Sequence, residues 1–160
     1  MEHFIKKYTE LSLTEIKKIE NLIIKGGEVD SKTLSSRLSN TERISFFKEN
    51  EEIISTASIK KPTDNYKKNT FTKSKSNKNS EDYQFELGYV STDVNFQGQK
   101  LASKLCDKLC ELYSNYSIFS TTRIDNKSMK SILSKNNFKE TGKEFPNKEK
   151  SNFLKLYLNK

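Results

Sequence analysis

An α/β fold, with a mixed central sheet flanked by helices on both faces, is what this sequence predicts, and three observations predict it. Strand-like and helix-like segments alternate through the second half. The first half places amphipathic helices ahead of a hairpin. The chain of 160 residues is long enough for one domain with a real core and too short to suggest two.

A first strand falls within His3 to Tyr8, weakly marked. The run LTEIKKIENLIIKGG reads as an amphipathic helix: Thr14 can cap it, Ile16, Ile19, Leu22 and Ile23 repeat at helical spacing, and Gly26 and Gly27 stop it. Asp30 and Ser31 open a short second helix with Leu34 and Leu38 on one face. In RISFFKENEEIISTASIK, the β-branched and aromatic runs Ile44–Phe47 and Ile53–Ile59 flank a polar turn and predict a hairpin. Residues 60 to 80, KKPTDNYKKNTFTKSKSNKNS, are too poor in apolar side chains to order themselves and read as a basic, mobile loop.

YQFELGYVS is the best-marked strand, with Phe85, Leu87 and Tyr89 on one face and Glu86, Gly88 and Val90 on the other. A glycine inside a strand points to a bulge or a close backbone approach. From Gln97 to Tyr113, Leu101, Leu105, Leu109 and Leu112, joined by Ala102, Cys106 and Cys110, form the buried face of a helix. YSIFSTTR follows as a strand. Asp125 or Asn126 then caps KSMKSILSKNN, whose Met129, Ile132 and Leu133 face inward, and FKETGKEF and NFLKLYLN give two closing strands. No internal repeat is visible.

The net charge of +8 is unevenly spread. Residues 1 to 59 hold nine basic and ten acidic side chains, residues 60 to 80 hold seven lysines and one aspartate, and the remainder holds thirteen against ten. The basic segment is either a solvated loop or a collar for an anion: a cofactor phosphate, an acidic acceptor or RNA. Nucleic-acid binding as the main function is the weaker reading, since only Tyr66 and Phe71 offer stacking there and no helix-turn-helix, zinc-finger or RNP-like pattern exists. Cys106 and Cys110 lack further Cys or His partners for a zinc site and read as packing residues, so no metal is expected; His3 reads as a surface residue. With no apolar run long enough for a membrane span and no apolar leader, a cytoplasmic protein is expected, as monomer or homodimer.

The stretch VNFQGQKLASKL, Val94 to Leu105, follows the best strand with one glycine and a helix start. A helix N-terminus presents unpaired amides and a partial positive charge, which suits a phosphate when the preceding turn lets the backbone approach. Gly98 supplies the turn, and Lys100 adds a charge.

Two segments in the second half resemble the GCN5-related N-acetyltransferase superfamily. The first, Gln97-Gly98-Gln99-Lys100-Leu101-Ala102, is similar to that family's Q/R-x-x-G-x-G/A loop, with Lys100 where glycine is usual; a lysine fits there if its φ stays negative. The second, STTRIDNKSMKSILSKNNF, looks like the family's strand-to-helix segment, with Asn126 at the capping position that contacts cofactor. Gly26 to Leu38 resembles the helical region where some bacterial members bind acceptor. The resemblance implies a bulged, splayed strand pair and acetyl-coenzyme A as donor. Val90, Ser91 and Thr92 would be backbone partners of the pantetheine arm, and Gln97, Gly98, Gln99, Lys100, Leu101, Ala102 and Asn126 would hold the rest of the cofactor.

It further implies acetyl transfer to a primary amine by direct attack in a ternary complex. Such a reaction needs a base, a polarised carbonyl and a proton for the leaving thiolate. Glu86, on the strand before the bulge and between Phe85 and Leu87, is the first candidate base, since burial favours proton uptake by a carboxylate. Glu28 is the second. The family's acid tyrosine aligns with Leu133, beside Ser134, which leaves Tyr66, a water or bulk solvent to protonate the thiolate. Arg123 reads equally as a substrate ligand or a strand-end ion pair. The alternative function is a non-catalytic acyl-coenzyme A-binding or RNA-associating module on the same fold.

Overall fold

The computed structural model describes residues 1–27 and 29–160, which contain seven strands and five α-helices and cluster into two compact units. The first unit, Met1–Lys61 with Leu87–Leu112, holds β1 (Glu2–Lys6), α1 (Leu13–Lys25), α2 (Ser31–Leu38), β2 (Thr41–Glu49), β3 (Glu52–Lys60), most of β4 (Phe85–Thr92) and α4 (Leu101–Leu112). Strand order is β1-β2-β3-β4, with β1, β2 and β3 antiparallel. The hairpin turns on Asn50 and Glu51, both left-handed with φ of 48° and 66°, the mirror-image turn whose twist suits a two-residue connection. β3 is buried without a break from Ile53 to Ile59, as expected of a strand covered on both faces, and α1 and α4 both pack against it.

The apolar stripe of α1 joins a core of Ile19, Leu22, Ile23, Leu34, Leu38, Ile44, Phe46 and Ile53. Its cap is Ser12, not Thr14. Ser12 Oγ accepts from the Glu15 amide at 3.1 Å and Glu15 Oε2 accepts from the Ser12 amide at 3.0 Å, a reciprocal box that S-x-x-E encodes and that starts the helix two residues earlier. The same carboxylate accepts from Lys6 Nζ at 2.9 and 3.1 Å and lies 3.7 Å from Lys48 Nζ, so one buried acid joins α1 to β1 and β2. On α4, Leu101, Leu105, Cys106 and Leu109 are buried, whereas Leu112 turns outward and is 55% exposed. His3 is half-buried rather than a surface residue, sharing a 2.8 Å hydrogen bond with Ser45.

The second unit, Pro62–Glu86 with Tyr113–Lys160, holds α3 (Asp64–Ser74), the first two residues of β4, β5 (Ile118–Arg123), α5 (Lys127–Lys135), β6 (Lys139–Pro146) and β7 (Phe153–Leu158). Its order is β4-β5-β7-β6; β4 runs parallel to β5, and the other pairs are antiparallel, so the sheet is mixed. Asn126 caps α5, its Oδ1 accepting from the Met129 amide at 3.0 Å.

The stretch expected to be a loop contains α3 instead. Thr63 caps it, Phe71 enters a core with Tyr83, Phe119, Phe145, Leu156 and Leu158, and Lys67, Thr70 and Ser74 are buried beside it. Lys67 lays its stem inward and donates to the Tyr83 carbonyl at 3.0 Å, while Thr70 and Ser74 donate to carbonyls of their own helix. Local bonds of this kind leave few buried polar groups unmatched, which is why a polar face can pack.

Two stability outcomes follow. Gly142 has φ of 68°, and a Cβ there would run into the Ser74 carbonyl, so Gly142→Ala should cost about 2–4 kcal/mol in chemical denaturation. Burial alone would raise the Glu15 pKa, but the Ser12 amide and the Lys6 and Lys48 ammonium groups outweigh it and hold the carboxyl below its ordinary 4.5. The folded value therefore lies below the unfolded one, and the stabilisation is complete above about pH 4.5 and lost as pH falls through the folded value. Unfolding midpoints measured from pH 7 to 3 should converge between wild type and Glu15→Gln at the acid end.

Candidate active site

In the first unit the site begins on β4. Leu87 is buried there, and Tyr89 adopts φ of 51°. The left-handed residue is thus Tyr89, one position beyond the glycine that the sequence marks as the irregularity. The Tyr89 side chain is buried in the core of α1, α2 and β2, and the Lys60 ammonium lies 4.3 Å from its ring centroid, a cation–π contact.

Beyond Tyr89, β4 is tied down by side chains. Ser91 donates from its hydroxyl to the Leu22 carbonyl at 3.0 Å, and its own carbonyl accepts from Ser55 Oγ at 3.3 Å. Thr92 shares a 2.8 Å hydrogen bond with Ser55, and the Asp93 amide donates to the Ile54 carbonyl at 2.8 Å. Val90, Ser91 and Thr92 are all half-buried, so this end of the strand keeps a surface.

After a 3-10 turn at Val94–Phe96 the chain passes Gln97 in extended conformation and reaches Gly98 with φ of 82°. Lys100 also lies in the left-handed region, with φ of 60°, against the negative φ that a lysine at this place implied. The backbone keeps the conformation that a glycine would favour, and the lysine accepts the strain. A Cβ at Gly98 would meet nothing within 4 Å, so the turn is open there. The first helical bond of α4 runs from the Lys104 amide to the Lys100 carbonyl, leaving the amides of Leu101 and Ala102 ahead of it at the positive end of the helix. The residues present therefore fit a bound diphosphate: an open turn, helix-end amides and an exposed ammonium.

In the second unit, Glu86 is buried and Tyr66 donates from its hydroxyl to Glu86 Oε1 at 3.2 Å. The sequence offered Tyr66 only as one of several proton sources; α3 brings it to the carboxylate. Sequence spacing gives no signal for that pairing, because the two residues meet through the fold of a segment expected to be a loop. Leu133, where the acid tyrosine would align, is fully buried core. Arg123 pairs with Asp125, Nε to Oδ1 at 3.5 Å, the structural one of its two readings. Glu28 lies outside the described residues. Cys106 and Cys110 are free thiols; burial and Asp107 push Cys110 up to about 12, and burial raises Cys106 well above the ordinary thiol value, so neither is a ready nucleophile. No group of His, Cys, Asp and Glu able to hold a metal, and no helix long and apolar enough to cross a membrane, occurs among the described residues.

No family model and no curated protein matches the sequence. Solved structures do match it in shape over its whole length. An acyl-CoA N-acyltransferase from Pseudomonas aeruginosa superposes with a TM-score of 0.72 at 10% identity, covering 99% of each chain. ElaA from Escherichia coli gives 0.73 at 12% identity over 100% of each chain. A GNAT-family acetyltransferase from Streptococcus agalactiae gives 0.68 at 15% identity, over 98% of this chain and 94% of its own. Identities this low speak for shape alone: the chain has the fold of the GCN5-related, or GNAT, acetyltransferases.

Proposed function

We propose that the protein is an acetyl-coenzyme A-dependent N-acetyltransferase acting on a primary amine by direct attack. The observation that carries this is the left-handed turn at Gly98 and Lys100 opening onto α4, placed directly behind β4 with its left-handed Tyr89, in a chain of GNAT fold. Acetyl-coenzyme A supplies the activated acyl carbonyl. The amides around Leu101 and Ala102 and the Lys100 ammonium bind the diphosphate, with Gln97, Gly98 and Gln99 shaping the turn. The backbone of Val90, Ser91 and Thr92 lies along the pantetheine arm. Glu86, on the same strand four residues before Val90, takes the proton of the incoming amine. Asn126 contributes by fixing the first turn of α5.

Each part of this reading has a measurement. Thiol release from acetyl-coenzyme A with a panel of polyamines, amino-acid amides and short peptides should reveal a turned-over amine. Binding without turnover on any of them would favour the non-catalytic acyl-coenzyme A module instead. On a productive amine, Glu86→Gln should lower kcat by about 10²–10⁴-fold while leaving the KM for acetyl-coenzyme A within a factor of two. An unchanged kcat would remove Glu86 from the reaction.

Lys100 separates charge from backbone strain. Lys100→Gly should raise stability by about 0.5–1 kcal/mol, because glycine enters the left-handed region without a Cβ. Lys100→Glu keeps the strain and reverses the charge. If the ammonium serves the diphosphate, calorimetry should show weaker coenzyme A binding by both variants, the glutamate more so.

A further inference from the structure

Glu86 is 3% exposed, whereas Tyr66, whose hydroxyl donates to it, is 41% exposed. A base that strips a proton from an ammonium must release that proton to solvent before it can act again. Burial hinders the release unless a group that can both accept and donate reaches from the carboxylate to water, and a phenol does both. Tyr66 is also held in place. Thr63 Oγ1 accepts from its amide at 3.3 Å, Thr70 Oγ1 donates to its carbonyl at 2.9 Å, and its ring lies against Phe119 with centroids 6.5 Å apart.

We propose that Tyr66 is a proton relay for Glu86, passing the first proton of the acceptor ammonium from the buried carboxylate to water; this rests on the acetyltransferase reading above. An N–H bond of the ammonium breaks as a carboxyl O–H forms on Glu86. The phenol then turns its own O–H to a water and accepts from the carboxyl. The Glu86 proton moves to Tyr66 Oη as the phenolic proton leaves on that water, which restores carboxylate and phenol together. The second nitrogen proton, lost as the amide bond forms and the thioester C–S bond breaks, leaves on the departing thiol. Protons and charge balance with no reactant beyond acetyl-coenzyme A, amine and water. In this role Tyr66 is a positioning and relay residue acting through Glu86.

The test uses the full chain, an amine found productive in the panel, and Tyr66→Phe and Tyr66→His. Tyr66→Phe should lower kcat about tenfold or more with the KM for acetyl-coenzyme A unchanged. Added imidazole, a small buffer able to enter and carry the proton, should restore part of the loss. Tyr66→His, which keeps a group that both accepts and donates, should retain more activity than the phenylalanine variant. Unchanged kcat in Tyr66→Phe overturns the relay, and so does a loss that neither imidazole nor histidine restores, which would mark Tyr66 as a purely structural partner of Glu86. Wild type that binds acetyl-coenzyme A but acetylates no amine fails the underlying reading and takes the relay with it, a result separate from an active wild type with an indifferent Tyr66→Phe.

Discussion

Tyr89 holds a φ of 51° inside β4, where a bulky side chain costs on the order of 1–2 kcal/mol relative to extended backbone. Packing offsets that cost. The ring is buried with Leu22, Ile44 and Phe46, and the Lys60 ammonium lies over it. Once the strand is kinked there, its two halves serve different ends. Upstream, Glu86 and Leu87 are both buried. Downstream, Ser55 holds both the Ser91 carbonyl and the Thr92 hydroxyl, so the strand end is fixed where the chain must leave for the turn at Gly98. Local backbone strain persists where the surroundings over-determine it, and here the packed ring and the Lys60 ammonium do so.

Elements whose burial coincides with apolar spacing were legible in the sequence: α1, α2, α4, α5 and the hairpin all fall where leucine and isoleucine repeat. α3 was not, and its composition gives the reason. Its buried positions, Lys67, Thr70, Phe71 and Ser74, do stand at helical spacing, but only Phe71 is apolar, so a reading based on hydrophobicity finds no stripe. The cap of α1 was misplaced for a related reason. Thr14 and Ser12 are both good caps, and only Glu15, three residues after Ser12, decides between them.

The candidate site divides along the same line. The turn after β4 could be read from Gly98 and the helix that follows, because it is contiguous in sequence. The φ of Lys100 could not, since a lysine in the left-handed region is a cost that only the surrounding chain can impose. Tyr66 beside Glu86 is a pairing across 20 residues of sequence, made by a helix that composition disguised. Irregular backbone and long-range pairs are set by tertiary structure, which local propensity does not encode.

The basic segment also changes meaning once folded. Of its seven lysines, Lys60 lies over the Tyr89 ring, Lys61 pairs with Glu42 at 2.7 Å and Lys67 is buried on the Tyr83 carbonyl. Those three serve the fold. The exposed remainder, Lys68, Lys73, Lys75 and Lys78, is spread along α3 and the chain after it, and the aromatic side chains that might have stacked on bases are committed elsewhere: Phe71 to the core, Tyr66 to Glu86. An RNA-binding strip needs free cations interleaved with free aromatic faces. This segment places Phe71 in the interior and the Tyr66 hydroxyl on the Glu86 carboxylate, which leaves its remaining charge on the solvated side of α3 and the chain after it.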